Sequence, residues 1–435
     1  MKHLMTMMLA IMALAPVKQI FAQGMASAMG EMTSVVLDGP FDVSRNPALL
    51  AQEERTGALG FAFIYQPYDS YRSSADANFA TPLFTTIDND FLVFDPDTLL
   101  LIGGAAFYVR SGGVAFGMSA SHSYNKEEAD NLLRLTISLG PTTSRMYSES
   151  SERKRETQSN MDFAYLVAPG LSLGAQFQFK YSTSSKVEES SSYIGAVLDS
   201  EEETREDVKT YMSTLNVGAL YRTSFLQAGA VVTAGDYTLK RTSYSEIKYQ
   251  PPPTVAYDIS DVTSLEGVYN GAPGMVAGCL YSLTGNFDVA AEAGFKIPME
   301  YQESGLAPSG TGYEDTDITT KNRFMYLVSV GAQYRVDAGL KLACGGLMRA
   351  FSFESESVSP SAVSEQEVDY RLYSFRMGLE KKVFDSGYIV LFTALDYGTF
   401  SMSMRSTEAS ALSMEFDINR SVFSINAGIS YIHFF

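Results

Sequence analysis

Ser421 to Phe435 reads SVFSINAGISYIHFF, and its apolar residues recur at every second position. Phe423, Ile425, Ala427, Ile429, Tyr431, His433 and Phe435 share one parity; Ser424, Asn426, Gly428 and Ser430 share the other. Successive side chains of an extended strand point to opposite faces, so this pattern predicts a strand with one apolar and one small, polar side. The same alternation recurs upstream. Leu171, Leu173, Ala175, Phe177, Phe179 and Tyr181 oppose Ser172, Gly174, Gln176, Gln178 and Lys180. Phe324, Tyr326, Val328, Val330, Ala332 and Tyr334 oppose Met325, Ser329, Gly331, Gln333 and Arg335.

From Gly57 onward such segments are joined alternately by very short and very long connections. The short ones carry turn chemistry: Ser111-Gly112-Gly113, Pro169-Gly170, Arg222-Thr223-Ser224, Gly285-Asn286, Asp337-Ala338-Gly339 and Asp385-Ser386-Gly387. The long ones are polar: 68–98, 125–159, 183–209, 240–272, 299–322, 353–368 and 403–419. Strands are predicted between them, about fourteen in all, from 57–67 to 420–435, with both ends on the short-turn side. Short turns on one rim and long loops on the other is the layout of an outer-membrane barrel, whereas a soluble sandwich has no reason to segregate loop lengths. Lipid offers the backbone no hydrogen-bond partner, so such a sheet must close on itself. The predicted fold class is all-β, a transmembrane antiparallel β-barrel in the bacterial outer membrane.

The segment ahead of the barrel divides in two. Lys2 and His3 precede an apolar run from Leu4 to Ala15, then Pro16 and a short stretch ending at Phe21-Ala22. This is the order of a secretory signal peptide, with cleavage expected after Ala22. Residues 23–56 are broken by Gly and Pro. Asn46-Pro47 predicts a turn, and Ala48 to Gln52 one helical turn capped by Asn46. The expected organisation is a signal peptide at 1–22, a compact N-terminal segment at 23–56 and a barrel at 57–435.

Charge and composition narrow the function. A net charge of −18 excludes a nucleic-acid partner, since a phosphate backbone demands the opposite sign. Trp is absent, but 26 Tyr and 27 Phe suffice for an interfacial aromatic girdle. Cys279 and Cys344 fall on non-neighbouring predicted strands amid apolar residues and read as two free, buried thiols. Only His122 and His433 follow the signal peptide, both at apolar-parity positions, so neither a His-based metal site nor a Ser–His–Asp centre is expected. No glycine-rich phosphate loop occurs, and no cofactor is predicted. The acidic run from Glu201 to Asp207 reads as a solvated loop rather than a calcium site, and Arg153-Lys154-Arg155 as a basic loop segment.

The predicted inward face is mixed. Asp288, Glu292 and Lys296, Lys341 and Arg349, and Arg376 and Glu380 point inward by parity, while strands at 99–109 and 388–397 are apolar on both faces. Two readings follow. Apolar surface with a few cations suits an amphipathic solute with an acidic head, and the same apolar residues would pack against an internal plug. For the first, Lys341, Arg349 and Arg376 are the candidate head-group anchors, because a carboxylate taken out of water needs a charged partner. For the second, Arg376 would pair with Glu380, and Arg349 with Asp38 or Asp42, to hold the plug.

The ending, with Tyr431, Phe434 and a terminal Phe435, resembles the C-terminal assembly signal of outer-membrane barrels, which implies recognition by the barrel-assembly machinery. The strand layout, the short N-terminal segment and Asn46-Pro47-Ala48 together resemble the FadL/TodX family of outer-membrane transporters for hydrophobic molecules. Family members carry an Asn-Pro-Ala motif in an N-terminal hatch that plugs the barrel. Here Leu49-Leu50 follows the motif in place of a glycine. The resemblance implies uptake of long-chain fatty acids or other hydrophobic small molecules, without enzymatic activity, through a hatch-plugged barrel with a sideways exit to the membrane. The same barrel type resembles secretion shuttles, which leaves secretion or adhesion through the acidic loops as the alternative. Expected partners are a hydrophobic or amphipathic small molecule and outer-membrane lipid; the sequence fixes no oligomeric state.

Overall fold

The computed structural model describes residues 28–29, 34–36, 46–52, 56–68, 75–80 and 93–435, apart from 138–141, 195–196, 251–258, 269–272, 310–311, 323–324, 359–361 and 409–412. The expected signal peptide, Asp38 and Asp42 lie outside them. Eighteen strands form one sheet. In chain order they are β1 (Gly57–Tyr68), β2 (Ala75–Ala80), β3 (Val93–Ser111), β4 (Val114–Ile137), β5 (Thr142–Ala168) and β6 (Leu171–Ile194). There follow β7 (Val197–Arg222), β8 (Leu226–Gln250), β9 (Ile259–Val268), β10 (Gly274–Thr284), β11 (Phe287–Lys296) and β12 (Met299–Ser309). The last six are β13 (Gly312–Asn322), β14 (Met325–Asp337), β15 (Leu340–Val358), β16 (Ala362–Lys382), β17 (Gly387–Glu408) and β18 (Ser413–Phe434).

At the short-turn end the wall is a closed antiparallel ring of fourteen strands: β1, β3 to β8, β10, β11 and β14 to β18. β1 pairs with both β3 and β18, and that second pairing closes the ring. At the seam the Gly57 N–H donates to the Phe435 carbonyl at 3.1 Å, and the Phe435 N–H donates back at 3.0 Å. The other four strands raise the wall. β2 continues beside β18, and β9, β12 and β13 fill the interval between β8 and β15.

The faces are those predicted by parity, and they are inverted relative to a soluble sheet. Phe163, Phe177, Val217, Val330, Phe375, Leu391 and Ile425 are exposed, while Asp162, Gln176, Asn216, Ser374 and Asn426 are buried. An apolar surface of this extent belongs in lipid rather than water, which places the barrel in a bilayer and, with short turns on one rim, in the outer membrane.

Two expectations need correction. Most of the long polar connections are themselves paired strand. β4 runs to Ile137 and β5 returns from Thr142, with unbroken pairing from Ile137↔Thr142 to Val114↔Tyr165; β6–β7 and β16–β17 extend likewise. Above the bilayer both faces of the wall meet water, so the backbone ladder continues while the hydrophobic alternation that reveals a strand stops. Secondly, Cys279 and Cys344 are free but exposed, not buried. They sit opposite Ala291 on β11 and Ala332 on β14, at outward parity, so their apolar surroundings are the lipid-facing surface rather than a core.

Phe434 points inward, edge-on to Tyr388 with ring centroids 5.5 Å apart, while Phe435 points outward. Deleting Tyr431–Phe435 would remove four of the eight residue pairs between β1 and β18. Each orphaned backbone group in hydrocarbon costs several kcal/mol, so the deletion is expected to abolish the heat-modifiable folded form in outer-membrane fractions. A truncated chain that still shows the gel shift there contradicts this role for the C-terminus.

Candidate functional site

The described N-terminal residues lie inside the ring. Pro47–Gln52 is a single 3-10 helix, buried from Pro47 to Ala51. Asn46 caps it as predicted: its Oδ1 accepts the Ala48 N–H at 3.1 Å, and Pro47 at the first helical position has no N–H to satisfy. Asn46 Nδ2 ties this turn to the neighbouring segment and to the wall, donating to the Ser34 carbonyl at 2.7 Å and the Ala219 carbonyl at 3.3 Å. The wall answers with its own side chains. Ser172 Oγ donates to the Ala48 carbonyl at 2.8 Å, and Gln52 Nε2 donates to the Gly170 carbonyl at 2.7 Å. Gln227 Nε2 donates to the Val35 carbonyl. Two strands along the wall, the Ser34 N–H and hydroxyl both donate to Glu292 Oε2 at 2.6 Å, two charge-assisted bonds on one buried carboxylate.

What lets the segment come this close is the absence of side chains beneath it. A Cβ at Gly218 would collide with Asn46 Oδ1, at Gly229 with the Ser34 carbonyl and at Gly331 with the Met29 carbonyl. A Cβ at Gly174 would lie 2.5 Å from the Ala48 nitrogen, and one at Gly278 2.7 Å from Ser34 Oγ. Gly174 faces Gly218 across β6–β7, and Gly229 faces Gly278 across β8–β10. These glycines and Glu292 are the functional residues that reading the motif alone does not find. Their signal was present as inward-parity glycines a few residues from the short turns of consecutive strands.

The rest of the lumen mixes polar and apolar side chains. On β5 to β8 a row of cross-strand neighbours is joined side chain to side chain: Gln176 Nε2 to Asp162 Oδ1, Asn216 Nδ2 to Gln176 Oε1, and Thr233 Oγ1 to Asn216 Oδ1, each at 2.7 Å. Facing it, β15 to β18 bury a mixture: Leu347, Leu372, Val390, Phe392 and Met402 together with Gln366, Ser374, Asp396 and Asn426, whose Nδ2 donates to Asp396 Oδ2 at 2.5 Å. Arg376 lies among them, 2% exposed, its Nε donating to Ser374 Oγ at 2.9 Å. Its cross-strand neighbours are Gly345 and Ala394, which are too small to overhang the guanidinium.

The three candidate cations are not one cluster. Arg349 is half-buried and pairs in register with Leu372, four residues from Arg376, which is about 13 Å along the strand. Lys341 sits near the short-turn rim, where it contacts Glu380 at 3.4 Å. Lys341 stands directly opposite Glu380, whereas Arg376 is four residues away on Glu380's own strand. Below the 3-10 helix, Lys341 and Glu380 help to line a cavity of about 820 Å³, shared with Val35, Leu49, Leu280 and Asp288. Asp288 is itself held by Gln333 at 2.8 Å and Ser282 at 2.6 Å.

No protein-family description matches the chain, and no curated protein matches it. Among solved structures it is similar to the Pseudomonas putida toluene transporter TodX, with 12% identity and a TM-score of 0.57 over 94% of this chain and 97% of that one. The Ralstonia pickettii toluene transporter TbuX gives 13% identity and 0.54 over 96% and 100%, and a Pseudomonas aeruginosa FadL homologue 12% and 0.52 over 94% and 98%. The resemblance read from the sequence thus holds at the level of the fold, a FadL/TodX-type barrel.

Glu292→Gln keeps the shape of the acceptor and removes its charge. The expected loss is about 1–2 kcal/mol of anchoring, seen as several-fold faster protease cleavage within the N-terminal segment while the barrel keeps its folded gel mobility. Equal cleavage rates would mean that Ser34 and Glu292 do not hold the segment in place.

Proposed function

We propose that this chain, a barrel of the FadL/TodX type, takes up hydrophobic small molecules across the outer membrane, with residues 23–56 of the mature protein as its hatch. The observation that carries this reading is the lumen: one wall joined by amides and hydroxyls, a facing wall that mixes large apolar side chains with polar ones and a buried guanidinium, and a capped 3-10 helix seated inside the ring on glycines. A water-filled porin needs polar walls throughout and an unobstructed bore. The structures it is similar to include a channel for monoaromatic hydrocarbons and transporters for toluene, solutes without a charged head.

Arg376 and Arg349 extend the reading to anionic solutes. A fatty acid would lay its chain along Leu347, Leu372 and Phe392 and present its carboxylate to a guanidinium, whose planar fork suits two oxygens. Lys341, already engaged with Glu380 near the rim, would meet the head group only on its way out.

Oleate and toluene binding to the detergent-solubilised protein separate the two solute classes. Losing a charge-assisted hydrogen bond costs about 1.5–3 kcal/mol, so Arg376→Ala or Arg349→Ala is expected to weaken oleate binding by about tenfold or more and leave toluene binding unchanged. Unaltered oleate affinity with a lowered melting temperature would assign both arginines to holding the hatch and the wall.

A further inference from the structure

Arg153, Lys154 and Arg155 are consecutive in sequence, but the strand splits them. They lie on β5 above the lipid-facing band, so alternate residues take opposite faces. Lys154 turns inward, where burial lowers its ammonium pKa against the pull of Glu156 and Glu152. Arg153 and Arg155 turn outward and are exposed. The register shows what surrounds them. Arg155 is opposite Thr183 on β6, which is opposite Lys209 on β7; Arg153 is opposite Lys126 on β4 and Ser185 on β6. Lys209 is also exposed. Among the described residues Arg153, Arg155 and Lys209 make no ion pair, unlike nearby Arg205, which contacts Asp207 at 3.4 Å.

The height of this group on the wall is informative. Directly beneath it the outward parity carries Tyr181 and Tyr211, half-exposed with ring centroids 4.7 Å apart. Below them come Phe179, Phe177 and Leu173, down to Leu171 at the short turn. From Leu171 to Tyr181 is ten residues, or about 34 Å of strand, which a tilt of about 40° reduces to about 25 Å of height. That is the thickness of the apolar band of an outer-membrane barrel. The tyrosine pair therefore marks the upper interface, and the cations begin one step above it, where lipid head groups lie.

We propose that this outward patch binds the phosphate-bearing head group of an outer-leaflet lipid. Arg153 and Arg155 flank one side and Lys209 the other, about 10 Å apart across two strand spacings. Between them β6 presents Thr183 and Ser185, so the seat is shallow and floored by hydroxyls that donate to phosphate oxygens; Asp207, opposite Ser185, borders it with its carboxylate held by Arg205 at 3.4 Å. Guanidinium groups take phosphate through paired N–H donors. The chain as a whole carries −18, so three cations without an ion pair among the described residues, gathered at the level of the outer-leaflet head groups, are not general surface charge. The lipid's acyl chains would lie on Phe179, Phe177 and Phe163, which are exposed just below.

The test is native mass spectrometry of the full mature chain in detergent with bis-phosphorylated lipid A as probe, for the natural protein and for Arg153→Gln/Arg155→Gln/Lys209→Gln. The natural protein is expected to hold the lipid at least about tenfold more tightly than the triple variant, with the difference shrinking as salt rises. Dephosphorylated lipid A should bind both alike, and Arg153→Lys/Arg155→Lys should keep most of the affinity. Equal retention by the natural protein and the triple variant overturns the proposal. So does displacement of the lipid by inorganic phosphate at matched concentration, which would make the patch a plain anion site. If the triple variant lacks the folded gel mobility, Arg155→Gln alone carries the test, with a several-fold loss expected and no loss contradicting it.

Discussion

A strand that crosses a bilayer has no water to receive its N–H and C=O groups, so each must find another strand, and the last strand must find the first. That requirement governs the rest of this molecule. It joins Gly57 to Phe435 by two hydrogen bonds across a seam spanning nearly the whole chain. It demands an even ring if both ends are to meet on the same rim, and fourteen strands do so. It also turns the usual distribution inside out: phenylalanines and valines face out, and the buried side chains include aspartate, glutamine and asparagine.

Closing the ring creates a bore, and the inward face shows how it is filled. Amides and hydroxyls satisfy one another across β5 to β8, while glycines at matched register leave room for a second layer of chain. Asn46 is central to that layer, capping the 3-10 helix with its Oδ1 and tying two segments together with its Nδ2. Glu292 and Ser172 fasten it from the wall. On β15 to β18 the bore mixes large apolar side chains with buried polar ones, Arg376 and Asp396 among them.

Much of this was legible in the sequence, and the limits have physical causes. Wherever one face of the wall meets lipid, alternation is forced, and every membrane-crossing segment could be placed with its parity. Above the bilayer the constraint lapses. The ladders from Asn125 to Ile137 and from Thr142 to Ser159 left no hydrophobic trace and read as loop. The cysteines misled for a related reason: apolar neighbours signal burial in a soluble protein, but here they signal lipid. Asn46 could be recognised because capping is local chemistry. Parity placed Glu292 on the inward face but could not reveal its role, because its partner Ser34 lies 258 residues away. Arg153-Lys154-Arg155 looked like one basic cluster until the strand assigned its members to opposite faces.

The central claim is that the N-terminal segment occupies the bore and controls it. Single-channel conductance in a planar bilayer addresses it directly, with the mature full-length chain compared with a chain lacking residues 23–56. The account predicts a low, small-amplitude conductance for the full chain and a large, steady one for the deleted form, both with the same folded gel mobility. The same conductance from the two proteins would show that the segment lies outside the path, and the account of a hatch-controlled barrel would fail.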